Sequence, residues 1–363
     1  MFKWWKILPL VAAVLLVACG GEPAPQADVR NDEVHFDSLR FAQAQQMAAE
    51  QEKMLLVDVY ADWCAPCKRL EKEVFATPAA AAVINPAFVS IRIDGEKGEG
   101  PEFVEAHKVS GYPTVIVFDS NGEEIDRLFG YGDPEQWMEQ LTDYMAGRNT
   151  LSDLKAQVAE SPDDLELHHA LARKYESRED DANARRHYQR VADIAAAKGV
   201  GDDQAALLRE VHYTLATFAM KLDDDPAPMR DFMTKTDNIG YLRAAYGRLA
   251  SYYDRAGDSE RAISVYEEAV EKMPDDVRIL NGYAWFIFKE ELSDHYGRGI
   301  ALAEKAVALS PEADHIWDTL AQLYFANGQR DKAIEAMEKA IAINPDQASY
   351  QRLLKEYMGT EAS

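Results

Sequence analysis

The segment Trp63-Cys64-Ala65-Pro66-Cys67 sets two thiols two residues apart. Such a pair can close a small disulfide and can exchange it with another. Residues 54–61, beginning Met54-Leu55-Leu56-Val57-Asp58-Val59-Tyr60, have the apolar make-up of a buried strand. Cys67–Phe75 is charge-rich, with Leu70 and Val74 spaced as on one helix face. A thiol at a helix N-terminus feels the positive end of the macrodipole, which favours its thiolate. Cys64, outside the helix and facing its free N–H groups, is the candidate nucleophile, and Cys67 the resolving thiol. Asp58 lies amid the apolar residues of the strand. If buried, its carboxyl pKa rises and it can pass a proton to or from Cys67 through water; the alternative is a solvated acid at a strand end. Trp63 is expected to pack beside the pair and lid it. A zinc site is the competing use of the spacing and needs two more ligands. The eight histidines show no His-x-x-His spacing, so neither a metal nor a cofactor is expected.

The only other cysteine is Cys19. It follows Lys3, Lys6 and an apolar run from Ile7 to Ala18. That run is too short to cross a bilayer, which takes about 20 apolar residues, and has the length of a secretory h-region. Leu16-Val17-Ala18-Cys19 resembles the lipobox of bacterial lipoproteins. The resemblance implies a signal peptide over 1–18, lipidation of Cys19 and a membrane anchor in the cell envelope. Gly20 after the cysteine favours the outer over the inner membrane in that family. The alternative is an ordinary signal cut near Ala18. Residues 19–33, rich in Gly, Pro and acid, read as a flexible tether. With 363 residues there is room for two domains beyond it. A formal net charge of −24 without a basic patch argues against nucleic acid as a partner.

Residues 34–147 alternate helix and strand signals: a helix over 38–53, the strand at 54–61, the Cys67 helix, a short helix over 79–84, a strand over 88–94 and a helix over 101–108. Thr114–Asp119 and Glu124–Phe129 flank an Asn121-Gly122 hairpin signal. Asp133-Pro134-Glu135-Gln136 has the marks of a capped helix start, and that helix ends near Gly147. A mixed sheet with helices on both faces is expected. This order, with the cysteines after an early strand, resembles the thioredoxin fold. Tyr60-Ala61-Asp62-Trp63-Cys64-Ala65-Pro66-Cys67-Lys68 followed by Leu70-Glu71-Lys72-Glu73-Val74-Phe75 resembles the C-terminal domain of the disulfide reductase DsbD, over roughly residues 50–142. The resemblance implies a cis proline at Pro113, within Tyr112-Pro113-Thr114, where a plain trans loop is the alternative, and an exposed strand edge there to pair with substrate backbone. It places Asp58 beneath the dithiol. The lysine that thioredoxins keep near that carboxylate has no counterpart at Ser90, although Arg92 is close in sequence.

From about residue 150 to 358 strand signals give way to a repeat. Tyr246, Leu249, Ala250, Tyr253, Gly257, Ala262, Tyr266, Ala269 and Pro274 recur, in order and at equal spacing, as Trp317, Leu320, Ala321, Tyr324, Gly328, Ala333, Met337, Ala340 and Pro345. The pattern resembles the tetratricopeptide repeat (TPR) of about 34 residues, a pair of antiparallel helices. It implies an all-α solenoid with copies at 165–198, 208–241 (degenerate around Asp223-Asp224-Asp225-Pro226), 243–276, 277–313 (with a lengthened turn at Ser293-Asp294-His295) and 314–347, capped by 348–358. Family geometry lines a concave groove with Arg278, Asn281, Trp285, Phe288, His315, Asp318, Gln322 and Phe325, for a peptide or protein partner. The alternative is that Trp285 and Phe288 pack against the lengthened turn.

Together these readings predict a lipid-anchored, periplasm-facing thiol–disulfide oxidoreductase acting as a reductase of protein disulfides. Its electrons would come from a membrane donor of the DsbD type, and its repeats would recruit clients. The alternatives are a chaperone or scaffold that uses the first domain for docking, and a thiol reductase of cytochrome c maturation.

Overall fold

The computed structural model describes residues 32–199, 201 and 204–359. The signal segment, Cys19 and nearly all of the tether lie outside them. The chain divides into two compact units, Met1–Thr150 and Leu151–Ser363.

In the first unit the order is α1 (Phe41–Glu50), β1 (Met54–Tyr60), α2 (Ala65–Leu70), a π-helical turn (Glu71–Phe75), α3 (Pro78–Ala87), β2 (Phe88–Asp94), α4 (Gly100–Ala106), β3 (Thr114–Phe118), β4 (Glu124–Phe129) and α5 (Pro134–Met145). The sheet runs β2-β1-β3-β4, with β1 parallel to β2 and the other pairs antiparallel. Side chains alternate across β1. Leu55, Val57 and Val59 pack with Ile91, Ile116, Ala44 of α1 and Phe103 of α4. Leu56 packs on the other face with Leu70, Ile84, Val117, Trp137 and Leu141. Each fully buried aliphatic chain contributes about 1.5–3 kcal/mol, so helices on both faces hold β1 in place. The helix expected over 38–53 is shorter, because Arg40 and Gln43 cap its start and Glu52 turns left-handed (φ 52°) after its end. At α5, Asp133 accepts from the backbone N–H of Glu135 and Gln136.

The second unit is all helix: α6 (Leu151–Glu160), α7 (Leu165–Glu176), α8 (Asp181–Lys198), α9 (Ala205–Leu222), α10 (Ala227–Lys235), α11 (Ile239–Arg255), α12 (Ser259–Lys272), α13 (Val277–Lys289), α14 (Tyr296–Leu309), α15 (Asp314–Ala326), α16 (Arg330–Ile343) and α17 (Ala348–Met358). Gly257 and Gly328 take the same left-handed turn (φ 72° and 74°) at equivalent places, which explains why both copies carry glycine. Buried phenols cross helix contacts to carboxylates: Tyr246 to Glu268, Tyr283 to Glu267 and Tyr324 to Glu304. A 3-10 turn, Ser293–His295, takes up the lengthened link. Two boundaries differ from the sequence reading. The copy placed at 208–241 is a long α9 with a short α10, and α11 starts inside its span. Asp224 in a left-handed conformation (φ 56°) and Pro226 end one helix and start the next, and Asn238 caps α11. The sequence reading also left α6 without an element; Leu154 ties it to Leu165, Leu171 and Tyr175.

Candidate active site

The dithiol lies just beyond the end of β1. Cys64 N–H bonds to Ala61 O at 3.0 Å, which turns the chain out of the strand. Cys64 is then the N-cap of α2, and its Sγ accepts the N–H of Cys67 at 3.1 Å. Pro66, in the first turn of the helix, is tolerated there because an N–H at that place has no intrahelical partner. Cys64 and Cys67 are joined as a disulfide with Cα atoms 5.3 Å apart. Both are almost covered, at 1% and 3% exposure, by Tyr60, Ala61 and Tyr112.

Trp63 does not pack beside the pair as expected. It is 68% exposed, and its indole N–H donates to Glu96 Oε1 at 2.8 Å, so the ring is held outward from the surface. Its edge faces Tyr112, with centroids 6.1 Å apart. The covering role falls to Tyr112, whose hydroxyl end lies where a Cβ on Gly95 would sit. Glycine at 95 is therefore a steric requirement of this packing. The Tyr112–Pro113 peptide is cis. β3 is paired on both sides, by β1 and β4, so it presents no free edge. The free backbone is one step earlier: among the described residues nothing bonds to the N–H or C=O of Tyr112, while Pro113 O accepts from Gly130 N–H at 2.8 Å.

Asp58 is 1% exposed and shares the face of β1 with Leu56, the face that α2 covers. The solvated strand-end alternative is excluded. In the parallel register Asp58 stands opposite Arg92. Arg92 Nε donates to Asp58 Oδ2 at 2.9 Å, and its Nη1 lies 3.2 Å from Glu71 Oε1. The guanidinium also lies over the ring of Tyr60, at 4.6 Å. Oδ1 of Asp58 is buried without a hydrogen-bond partner. Burial pushes the Asp58 carboxyl up to about 6, against the charge and hydrogen bond of Arg92, and with a smaller upward push from Glu71. Burial also opposes the charge on Arg92, but Asp58 and Glu71 outweigh it and raise its pKa. A carboxyl that titrates near neutrality, with one oxygen unused, can take or give a proton.

Sequence reasoning named Arg92 only as a neighbour and missed Glu71, Tyr112, Gly95 and Glu96. The signal for Arg92 was its place in a strand whose other members are mostly apolar, on the same alternation as Ser90.

The groove residues differ in exposure and in their partners. Arg278 and His315 are exposed. Trp285 is exposed, with its ring 5.5 Å from that of Phe288, and Phe288 is half-buried against the core of the repeat unit. Phe325 stacks on Tyr357 at 4.4 Å. Gln322 donates to Asp318, whose pKa burial raises, and Asn281 keeps a buried, unpartnered Oδ1.

A sheet of this topology with a cysteine pair at the first helix after β1, packed against the tyrosine of a cis Tyr112–Pro113 peptide, defines the class. Residues 41–146 match the thioredoxin-like domain model, and residues 248–314 and 292–357 match tetratricopeptide repeat models. The chain is thus a thioredoxin-like domain followed by TPR repeats. It is similar to the thiol:disulfide interchange protein DsbD of Vibrio vulnificus, 29% identical over 156 residues, which are 39% of this chain and 26% of that protein. DsbD of Tatumella citrea is 33% identical over 100 residues, 27% and 17% of the two chains. A solved candidate disulphide-isomerase of Bacteroides thetaiotaomicron is 37% identical, covering 31% of this chain and 94% of its own, with a TM-score of 0.30. The chain spans about a quarter or less of the curated relatives it matches. The domain has the equipment of a thiol–disulfide oxidoreductase.

Proposed function

We propose that the protein is a lipid-anchored reductase of protein disulfides in the bacterial cell envelope, with repeats that recruit its clients. The observation that carries the redox reading is the pair Cys64–Cys67 at the start of α2, on the sheet face where Asp58 is buried and held at about 6. In the reduced chain the Cys64 thiolate, favoured by the Cys67 N–H and the helix N-terminus, attacks one sulfur of a client disulfide. That bond breaks, and the departing client thiolate takes up a proton. Cys67 then loses its proton to Asp58 through water and attacks Cys64 Sγ. The second client thiol is released and the Cys64–Cys67 disulfide, the state in the structure, is formed. Two electrons pass to the client for each disulfide closed. A donor dithiol, in our reading on a membrane protein of the DsbD type, returns them by the reverse exchange.

The unbonded Tyr112 backbone beside the cis proline is placed to pair with an extended client segment. Support for the anchor is the sequence Leu16-Val17-Ala18-Cys19, and Gly20 favours the outer membrane. The test is reduction of insulin by the full chain, monitored by turbidity, with a dithiol donor supplied. Turnover that Cys64→Ser abolishes supports the reading. A wild-type chain that accepts electrons but leaves insulin oxidised would leave only the docking role.

A further inference from the structure

One cleft of the repeat unit is lined by none of the residues that family geometry assigns to the groove. It is a cleft of about 1090 Å³ between α9 and α11. One face of α11 has almost no bulk there, because Ala244, Gly247 and Ser251 follow one another at helical spacing. A Cβ built on Gly247 would meet no atom within 4 Å, so the floor of the cleft is open. Three cations rim it: Lys221 from the end of α9, and Arg248 and Arg255 from α11. Lys221 is paired with Asp181. The two arginines have no carboxylate within salt-bridge distance among the described residues. Arg248 donates instead to the neutral hydroxyl of Tyr213 at 2.6 Å and lies over that ring. The acid of the cleft, Asp224, is engaged by the hydroxyl of Tyr252 at 2.9 Å.

A chain of net charge −24 offers many carboxylates to its arginines. Two guanidiniums left without one, on the same wall of an open cleft, form a local positive site in an otherwise negative field. Guanidinium groups take carboxylates in a planar, bidentate fashion. Tyr213 and Tyr252 add apolar faces and hydroxyls, which suits a chain rather than a bare ion. We propose that this cleft is the recruitment site and binds an extended, acidic peptide segment of a partner protein, with its carboxylates on Arg248 and Arg255. The proposal deepens the recruiting role assigned to the repeats and rests on that reading. It moves the site from α13 and α15 to α9 and α11.

The test is fluorescence anisotropy of the full chain with a labelled, end-blocked peptide of alternating Glu and Ala, and with its Lys counterpart. The acidic peptide should bind and the lysine peptide should not, and raising salt from about 50 to about 500 mM should weaken binding. Arg248→Ala with Arg255→Ala should loosen it about tenfold or more. Gly247→Met fills the floor without changing charge. It sits mid-helix with open space before it, so the fold tolerates it, and it should weaken binding to a similar degree. Three results would each overturn the proposal: no acidic-peptide binding up to ~1 mM, equal binding of the lysine peptide, or affinity that neither variant changes. Self-association of the chain that the arginine changes abolish would overturn it too, by giving the cleft to a second copy. The peptide has no cysteine, so its binding is read independently of insulin reduction, and either reading can fail alone.

Discussion

Asp58 stands between two opposing influences, and its behaviour follows from which one prevails. Burial raises its carboxyl pKa more than Arg92 lowers it, leaving it at about 6 against an ordinary 3.8. The folded chain therefore holds a proton there that the unfolded chain has released. The associated stability is present below about pH 4 and is lost as pH rises through about 6. Asp58→Asn should raise stability at pH 7 by about 1–3 kcal/mol, read from urea midpoints. The gain stays modest because Arg92 loses a carboxylate partner. The same change should slow insulin reduction about 10²-fold, since Cys67 loses its proton acceptor. It should also erase the inflection near pH 6, below which the protonated carboxyl cannot accept. Arg92→Leu removes the two influences that lower the Asp58 pKa, so that inflection should move to higher pH. An unmoved profile would show that Arg92 does not act through Asp58. Gly95→Ala forces the Tyr112 hydroxyl away from its place. A loss of about 1–3 kcal/mol together with faster alkylation of the reduced cysteines would show that Tyr112 covers them.

Between elements, the contact of α7 with α8 carries a buried histidine pair. His168 Nδ1 and His187 Nδ1 are 2.8 Å apart, and His168 Nε2 is 3.1 Å from Pro162 O. One Nδ1 donates and the other accepts, so the two rings cannot both carry a proton there, and Arg186 Nη2 stands 3.4 Å from His187 Nε2. Burial, then His168 and Arg186, push His187 down to about 4. A depressed histidine means that the unfolded chain takes up the proton first, so stability falls as pH drops from about 6.5 towards 4. His187→Gln should flatten that decline in the repeat unit by about 1 kcal/mol, a figure kept small by solvent near the ring. The sequence could show neither this pair nor the Asp58–Arg92 pair, since each joins elements through tertiary packing. Legible were features set by short spacing: the strand before Cys64, the N-cap at Asp133, the Asn121-Gly122 turn and the repeated glycines 257 and 328. The outward turn of Trp63 was hidden because it depends on Glu96, on the loop after β2. The start of α11 was hidden because a proline-centred break displaced one repeat boundary.

At the scale of the whole molecule, we propose an exchange site in one unit, a recruiting surface in the other and a lipid anchor at Cys19. Cys19→Ser should abolish metabolic labelling with a radioactive fatty acid and release the chain from the membrane fraction. Labelling that persists would contradict lipidation at that residue. The central claim is that Cys64 attacks client disulfides, and Cys67→Ala in the full chain tests it most directly, because the mixed disulfide can no longer be resolved from within. The account predicts envelope proteins linked to Cys64, released by dithiothreitol and absent when Cys64 is also changed to Ala. It predicts fewer of them when Arg248 and Arg255 are replaced. An absence of adducts, with wild-type chain unable to reduce insulin, would contradict it.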